Sequence, residues 1–302
     1  MDDYLEYQSY ISDIPSFLDK YLELDIMKRL KDISVLCGMD YASPHMYDFK
    51  FYLSRYNHSL NVALITWRLT HDKKQTLAAL FHDISTPVFS HVIDYMNKDF
   101  IKQESTESKT IDILRSSKQL IEYLKQDNID INEVINFKQY SVVDLPRPAL
   151  CADRLDNLVG GGMSWVKKVD LDMAKSIIDN IYLYNRSDSI DEIAVRSYGI
   201  ASYLMSINNE INRLTHTKED TYMMMLLANI VKFTIDEGLI TYNDLYRLTE
   251  HQYMNIVENN LDIYDLNDMW HTWKTIESCD TAYDIQIKDL TLSPIYNGSR
   301  VQ

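Results

Sequence analysis

The sequence predicts an all-α fold with a small amount of β structure near the C-terminus. Only 7 glycines and 6 prolines interrupt 302 residues, of which 46% are hydrophobic, and such scarcity of turn residues is typical of long helices. Apolar residues also recur with helical spacing along most of the chain. This length suits one large domain or two packed lobes. We expect residues 1–165 to form a core with N-terminal helices, and residues 166–302 to form a helical extension packed on it as one unit.

The helices of the core half follow from apolar spacing. One helical face is formed by residues at i, i+3, i+4, i+7 and i+11, namely His58, Asn61, Val62, Ile65 and Leu69. Further helices are expected from about Lys74 to Asp83, from Pro87 onwards because proline is a favourable first-turn residue, and through the apolar positions of 111–124. Residues 126–148 are predicted to be irregular, and ALCADRLDNLV is expected to return to helix.

Glycine and capping signals mark the end of the core half and the elements of the extension. The triplet Gly160–Gly162 predicts a flexible turn or a backbone crossing, because glycine tolerates unusual dihedral angles. Asp170 is expected to cap a helix over 171–184, and Ser189 with Glu192 forms a capping-box pattern for a longer helix. Gly238 is expected to end the next helix, and Thr241 with Asp244 to start another. The tail IQIKDLTLSPIY alternates apolar and polar residues and predicts a short strand pair after about Asp280.

Charge and composition exclude several classes of function. The chain has 30 Lys and Arg against 45 Asp and Glu, a net charge of −15, which argues against binding a nucleic-acid backbone. Binding of a small phosphorylated substrate is still compatible with this net charge, because a metal and a few arginines can make the electrostatic potential inside one pocket positive. Three scattered cysteines predict reduced thiols. The start MDDYLEYQ lacks a secretory signal, and the longest apolar run is too short to span a bilayer. We therefore expect a cytoplasmic protein without membrane contact.

The segment ALFHDISTPVFSH is the strongest chemical signal. His82 and Asp83 end an apolar helix, where an unpaired buried carboxylate would be costly unless it met a cation or dedicated donors. His58 opens the preceding helix, and Asp153 lies in the apolar-flanked acidic stretch ALCADRLD. Two histidines and two aspartates form a mixed nitrogen and oxygen ligand set that suits Fe, Mn, Zn, Ni or Mg. The alternative is a group of satisfied structural polar residues. The other pair, His71-Asp72, precedes two lysines and is interpreted as an exposed helix end.

The motifs RYNHSLNVA, ALFHDISTPVFSH and CADRLDNL follow the order H…HD…D and resemble the HD-domain metal-dependent phosphohydrolase superfamily. Together with MKRLKDISVLCG, they are most similar to the deoxynucleoside triphosphate triphosphohydrolases over roughly residues 25–165. The resemblance implies an HD helical bundle, a nucleotide substrate, a homo-oligomer and one divalent metal (Fe, Mn, Zn, Ni or Co, or else Mg). The metal ligands that it implies are His58, His82, Asp83 and Asp153.

The same resemblance implies that His91 and Asp94 form a catalytic pair and that Arg55 and Arg154 contact phosphates. Residues three apart on a helix can meet, and a carboxylate on one imidazole nitrogen fixes the tautomer and raises the basicity of the other. Arginine offers phosphate a permanent charge and a fork of donors. Structural alternatives are a buried histidine bonded to Asp94 without chemistry, a surface role for Asp94, and ion pairs of the two arginines with the many acids.

The chain also departs from the triphosphohydrolase pattern. Thr86 stands where a second active-site histidine is frequent, and Asn157 stands where an aromatic residue near the sugar is common. The stretch KQESTE offers Gln103, Glu104 and Glu107 where another histidine is found. Three hypotheses follow: a triphosphohydrolase that releases nucleoside and triphosphate, a hydrolase of a monophosphate, cyclic nucleotide or alarmone, and a non-catalytic module that binds nucleotide or metal.

Overall fold

Helices dominate the structure, a computed structural model that describes residues 9–103, 109–188 and 190–302. The helices before the predicted core boundary are α1 (Asp19–Leu22), α2 (Asp25–Arg29), α3 (Arg55–Thr70), α4 (Lys73–Leu80), α5 (Val92–Met96), α6 (Thr110–Ser116), α7 (Lys118–Gln126), α8 (Asn132–Ile135) and α9 (Ala152–Ser164). Those that follow are α10 (Leu171–Asn180), α11 (Tyr198–Thr215), α12 (Lys218–Asp236), α13 (Glu250–Glu258) and α14 (Tyr264–Thr275). The all-α prediction is confirmed, with a small sheet added.

Helix α3 is the centre of the first half. Helices α4 and α9 both pack against it, and the run from His58 to Thr66 is buried throughout. The neighbouring helix was predicted to reach Asp83 but ends at Leu80. The helix predicted from Pro87 begins only at Val92, and the one predicted through 111–124 is broken at Ser117 into α6 and α7. Helix α3 is therefore largely buried, and the residues of its first turn are held in place by the helices packed around it.

A four-stranded sheet lies in the second half of the chain. Its strands are β1 (Ile181–Asn185), β2 (Asp191–Val195), β3 (Ile295–Tyr296) and β4 (Ser299–Arg300). β1 and β2 are antiparallel, β2 and β3 are parallel, and β3 and β4 form the hairpin expected in the C-terminal tail.

Two helix predictions fail at this sheet. The helix predicted over 171–184 ends at Asn180, because the sequence IYLY that follows is rich in β-formers and pairs with β2. The capping box predicted at Ser189–Glu192 is wrong as well. The carboxylate of Glu192 is fully buried in β2 and binds Arg300 at 2.8 and 2.9 Å and Arg186 at 3.3 Å, while Ser189 lies outside the described residues.

The glycine triplet is helical, which corrects the predicted flexible turn. Gly160–Gly162 lie inside α9, where neighbouring elements approach closely. A Cβ on Gly162 would lie 2.6 Å from Val169, and one on Gly161 would lie 2.9 Å from Ile211. The triplet thus serves packing. Gly238, with a φ of +72°, does end the preceding helix, and the capping box at Thr241–Asp244 is present at a short 3-10 helix.

The extension packs directly on the first half. Helix α12 contacts α5 and α14, and α11 contacts α9. In the part of the chain that the structure describes, no helix combines the length and apolarity needed to cross a bilayer. The contact of α12 with α5 brings residues of the extension beside the segment that carries His91.

Candidate metal centre

His58 reaches the site from the first turn of α3. The side chain of Ser54 caps this helix by accepting the Asn57 N–H, so the helix begins at Arg55. Arg55 and His58 are three residues apart and share one helical face. Both are buried, at 7% and 3% exposure. The local sequence therefore sets an arginine and a histidine side by side in the interior.

His82 and Asp83 lie in the turn after α4, not on a helix end as expected. Phe81 ends α4, and the His82 Nδ1–H donates to the Ala79 carbonyl at 2.7 Å. This bond fixes the tautomer and leaves Nε2 as the nitrogen with a lone pair. Nε2 of His82 is buried and, among the described residues, has no hydrogen-bond partner.

Four predicted ligands converge around that nitrogen. His82 Nε2 lies 3.6 Å from a carboxylate oxygen of Asp83 and 3.6 Å from one of Asp153. His58 Nε2 lies 3.0 Å from Asp153 and 3.6 Å from Asp83. Ligand atoms of His58, His82 and Asp83 all fall within 4.8 Å of one another. The structure thus brings together the two imidazoles and two carboxylates named from the sequence.

The residues fit a divalent cation. Burial alone would lower the pKa of His58, but its hydrogen bonds to Asp153 and Asp156 raise that pKa to about 10. Burial likewise opposes ionisation of Asp83, yet Arg55 and the two histidines hold its pKa well below the ordinary value. In this geometry, protonated imidazoles balance the negative charge of the carboxylates, and a divalent cation can replace those protons. The orphaned Nε2 of His82 and the mixed nitrogen and oxygen set match Fe, Mn, Zn, Ni or Co ligation.

Asp156 is a supporting residue that the sequence analysis missed. It accepts the His58 Nδ1–H at 2.6 Å and the Tyr10 hydroxyl at 2.7 Å. A carboxylate on the far nitrogen of a ligating histidine holds the ring and tautomer in place. The available signal was its position three residues after Asp153 in ADRLDN, one helical turn further along the same face.

Another possible ligand group shares Asp153. Asp144, Cys151 and Asp153 also lie within 4.8 Å of one another through one ligand atom each. Burial raises the pKa of the Cys151 thiol to about 11, however, and ligation by cysteine requires a thiolate. The group of His58, His82 and Asp83 is therefore the stronger candidate.

His91 and Asp94 lie together beside this cluster, as predicted. His91 Nδ1 and Asp94 Oδ2 are 2.9 Å apart, with Asp94 fully buried and the His91 side chain 41% exposed. Just before them, Phe89 and Ser90 both have left-handed dihedral angles, with φ of 61° and 51°. Two such residues in sequence are strained, and the surrounding contacts must hold them.

The contacts that hold the bend at Phe89 and Ser90 also connect it to Arg55. One carboxylate oxygen of the fully buried Glu250 accepts both the Ser34 N–H at 3.0 Å and the Phe89 N–H at 3.2 Å. The Ser90 hydroxyl donates to the Ser34 carbonyl at 2.8 Å and accepts from Arg55 Nε at 3.3 Å. Arg55 Nη1 in turn donates to Asp83 at 2.7 Å. Nothing local in the sequence marked Glu250, which is distant along the chain.

Arg154 lies in the wall of a cavity beside the ligand cluster. Its Nη1 donates to the Ala149 carbonyl, and its Nη2 donates to the Leu145 carbonyl at 2.9 Å. The side chain is 8% exposed, yet it lines the same cavity as the ligand cluster. Two of its three nitrogens therefore hold the backbone before α9.

A cavity of about 740 Å³ opens from the cluster. Its wall includes Arg55, His82, Asp83, His91 and Asp153, together with cations that the sequence analysis did not single out, namely Lys138, Arg147 and Lys288. Lys138 and Arg147 lie nine residues apart, but Lys288 comes from the other end of the chain, so no single local motif could have revealed all three.

The positions that depart from the triphosphohydrolase pattern also border this cavity. Thr86, Gln103 and Asn157 line it, and Asn157 donates to Asp153 at 2.8 Å. Glu104 and Glu107 lie outside the described residues.

The comparisons with known proteins agree with this geometry. Residues 55–160 match the family model of the HD domain. Over 285 residues the chain is 23% identical to the uncharacterized protein YdhJ of Bacillus subtilis, covering 91% of this chain and 82% of that protein. Over 129 residues it is 26% identical to the metal-dependent phosphohydrolase cns2 of Cordyceps militaris, covering 43% of this chain and 36% of that protein. The histidine and aspartate cluster lies inside the segment that matches the HD domain, and the chain is similar to metal-dependent phosphohydrolases of the HD superfamily.

Proposed function

We propose that the chain hydrolyses a nucleotide at the α-phosphate and releases a nucleoside and triphosphate. The observation that carries this proposal is the cationic lining of the cavity beside the ligand cluster. A chain with a net charge of −15 directs Lys138, Arg147 and Lys288 toward one cavity that also meets Arg55. Its volume of about 740 Å³ falls within the range of about 300–1,000 Å³ typical of small-molecule sites.

His58, His82, Asp83 and Asp153 would hold the metal. A divalent cation bound there supplies Lewis acidity toward a phosphoryl oxygen and toward water. His58 and His82 are buried and Asp83 and Asp153 are partly buried, which strengthens the charge interactions within the site. Asp156 keeps the Nδ1 proton of His58 and thereby presents Nε2 to the centre.

Arg55 and His91 supply the remaining chemistry. Arg55 uses Nη1 on Asp83 and Nε on Ser90, which leaves Nη2 for a phosphate oxygen. The Nδ1 nitrogen of His91 is held by Asp94, so Nε2 is the nitrogen that delivers a proton. As water adds to the α-phosphorus and the bond to the nucleoside 5′ oxygen breaks, His91 protonates that leaving oxygen, and the proton that the attacking water releases restores the proton on His91. Arg154 holds two backbone carbonyls through its Nη1 and Nη2 groups, whereas Arg147 and Lys288 each donate to one. We assign the additional charge on the polyphosphate to Lys138 and to the remaining N–H groups of Arg147 and Lys288.

The test is a nucleotide panel with defined metals. Metal-free protein is loaded with Mn²⁺, Fe²⁺, Co²⁺, Ni²⁺, Zn²⁺ or Mg²⁺ and incubated with ribo- and deoxyribonucleotides that carry one to three phosphates. We expect nucleoside and intact tripolyphosphate from triphosphates, resolved by anion-exchange chromatography, and no turnover by His82→Ala. Orthophosphate as the product would assign a monophosphate substrate instead. Absence of any phosphate product under every metal would refute nucleotide hydrolysis.

A further inference from the structure

Asp220 is a buried acid of the extension that faces the cavity. It lies in the first turn of α12, is 9% exposed and belongs to the cavity wall. One of its carboxylate oxygens accepts the Tyr47 hydroxyl at 2.8 Å. Asp220 has no part in the ligand cluster or in the chemistry assigned to His91 and Arg55.

Helix capping does not explain this acid. An acid at the third helical position usually bonds back to the N–H of the capping residue. Here the N–H of the cap, Thr217, donates to the Leu214 carbonyl, and the Thr217 hydroxyl accepts the Asp220 N–H. The Asp220 side chain turns away toward Tyr47. The helix is therefore capped without the Asp220 carboxylate.

The second oxygen of Asp220 lacks a protein donor. Across residues 9–103, 109–188 and 190–302, neither a cationic side chain nor a second hydroxyl binds this carboxylate. Burial, opposed only by the Tyr47 bond, raises the pKa of Asp220 to about 7. A carboxylate can accept several hydrogen bonds, and from its position in the cavity wall Asp220 can accept one from a molecule bound in the cavity.

The surroundings of Asp220 suit a nucleoside. Tyr47 and Phe49 stack with ring centroids 5.3 Å apart, and Trp165 meets Phe49 edge-on at 5.7 Å. With Met224, these rings give the wall an apolar surface for a planar base. The position belongs to the same cavity as the reactive end, because Asp220, Cys37 and Arg55 all line its wall.

We propose that Asp220 is a specificity-determining residue that accepts a hydrogen bond from a donor on the nucleoside part of the substrate. The inference rests on the proposed nucleotide hydrolysis. The donor is a base N–H or a sugar O–H, two sources with the same chemistry toward a carboxylate. A hydrogen bond to a charged group contributes about 1.5–3 kcal/mol, equivalent to roughly 10- to 100-fold in affinity.

The experiment compares nucleotides that differ by one donor. Guanosine and inosine triphosphates differ in the 2-amino group, adenosine and purine riboside triphosphates in the 6-amino group, and 2′- and 3′-deoxy analogues each lack one hydroxyl. Affinity for the metal-free protein is measured by calorimetry, and kcat/KM is measured with the metal-loaded protein. Asp220→Ala is compared with Glu219→Ala, which removes an exposed acid one residue away on α12, and with Tyr47→Phe, which keeps the carboxylate.

We expect the wild type to discriminate roughly 10- to 100-fold within at least one pair, and Asp220→Ala to reduce that ratio to below about 3-fold. Glu219→Ala should keep the discrimination, whereas Tyr47→Phe, which removes the hydroxyl that binds the Asp220 carboxylate, should lower it. If the wild type binds and cleaves nucleotides while Asp220→Ala preserves every ratio, the specificity role is refuted and the hydrolase stands. If the wild type neither binds nor cleaves any nucleotide, both proposals fall. Thermal unfolding of Asp220→Ala verifies its fold.

Discussion

Replacing Asp156 by asparagine should weaken metal binding without removing a ligand. Asp156 accepts the His58 Nδ1–H at 2.6 Å and the Tyr10 hydroxyl at 2.7 Å. A neutral amide in this position is a weaker acceptor and can present its NH₂ group to Nδ1, which would move the ring proton to the nitrogen that faces the metal. Loss of such an outer hydrogen bond costs about 10- to 100-fold in metal affinity.

That loss corresponds to about 1.4–2.7 kcal/mol, and it predicts a change in thermal stability. At about 2.1 cal/mol/K per residue, 302 residues give an unfolding entropy of about 0.6 kcal/mol/K. At one metal concentration above both dissociation constants, the metal-induced rise in Tm should be about 2–4 °C smaller in Asp156→Asn than in the wild type.

The assay is a chelator-competition titration of Mn²⁺ or Zn²⁺, combined with thermal unfolding of metal-free and metal-loaded protein. Tyr10→Phe is the matched control, because it removes the other bond to Asp156 and leaves the one to His58. We expect Tyr10→Phe to change the affinity by less than about 3-fold. Equal metal affinities of Asp156→Asn and the wild type would refute the orienting role of this carboxylate.

Three further predictions concern stability. Chelation should lower the Tm by about 4 °C at a metal concentration of 100 times the dissociation constant, and His82→Ala should abolish this response. Burial raises the pKa of Asp40 from 3.8 to about 7, so the folded state retains a proton that the unfolded chain releases. Stability from this group is present below about pH 4 and is lost as the pH rises through 7. Asp40→Asn should therefore gain up to about 4 kcal/mol over the wild type at pH 8 and little at pH 4 in urea unfolding. Glu250→Ala leaves the Ser34 and Phe89 N–H groups without an acceptor and should cost about 2–6 kcal/mol, whereas Glu250→Gln should cost less than about 1 kcal/mol by the same measurement.

The parts of the site that the sequence predicted are those specified by local pattern. His58 follows from the apolar spacing of α3, and Asp153 follows from the return to helix at ALCADRLDNLV. His82 and Asp83 were identified although their helix ends earlier than expected, since a turn directly after α4 still directs both toward α3. Short-range sequence therefore sufficed to bring these residues forward as candidate ligands, and the resemblance to the HD superfamily implied the full set.

Tertiary contacts decided the features that were predicted wrongly. Gly160–Gly162 resembles a turn in isolation, but it lies inside α9, and the close approach of Val169 and Ile211 explains why Gly162 and Gly161 carry no side chains. Glu192 resembles half of a capping box, but Arg300, 108 residues later, binds it inside the sheet. In both cases tertiary packing outweighed a local preference.

The bend that carries His91 shows why the matched segment alone does not build the site. The Val88 N–H donates to the Leu245 carbonyl, and the Phe89 N–H donates to Glu250. The Phe89 ring packs edge-on against Tyr253 at 5.1 Å and lies against Trp273 at 6.4 Å. Residues 55–160 contain the ligands and His91, but the two strained residues before His91 keep their dihedral angles only while these partners hold them. All four partners belong to the extension, so the extension sets the position of His91 relative to the candidate metal ligands.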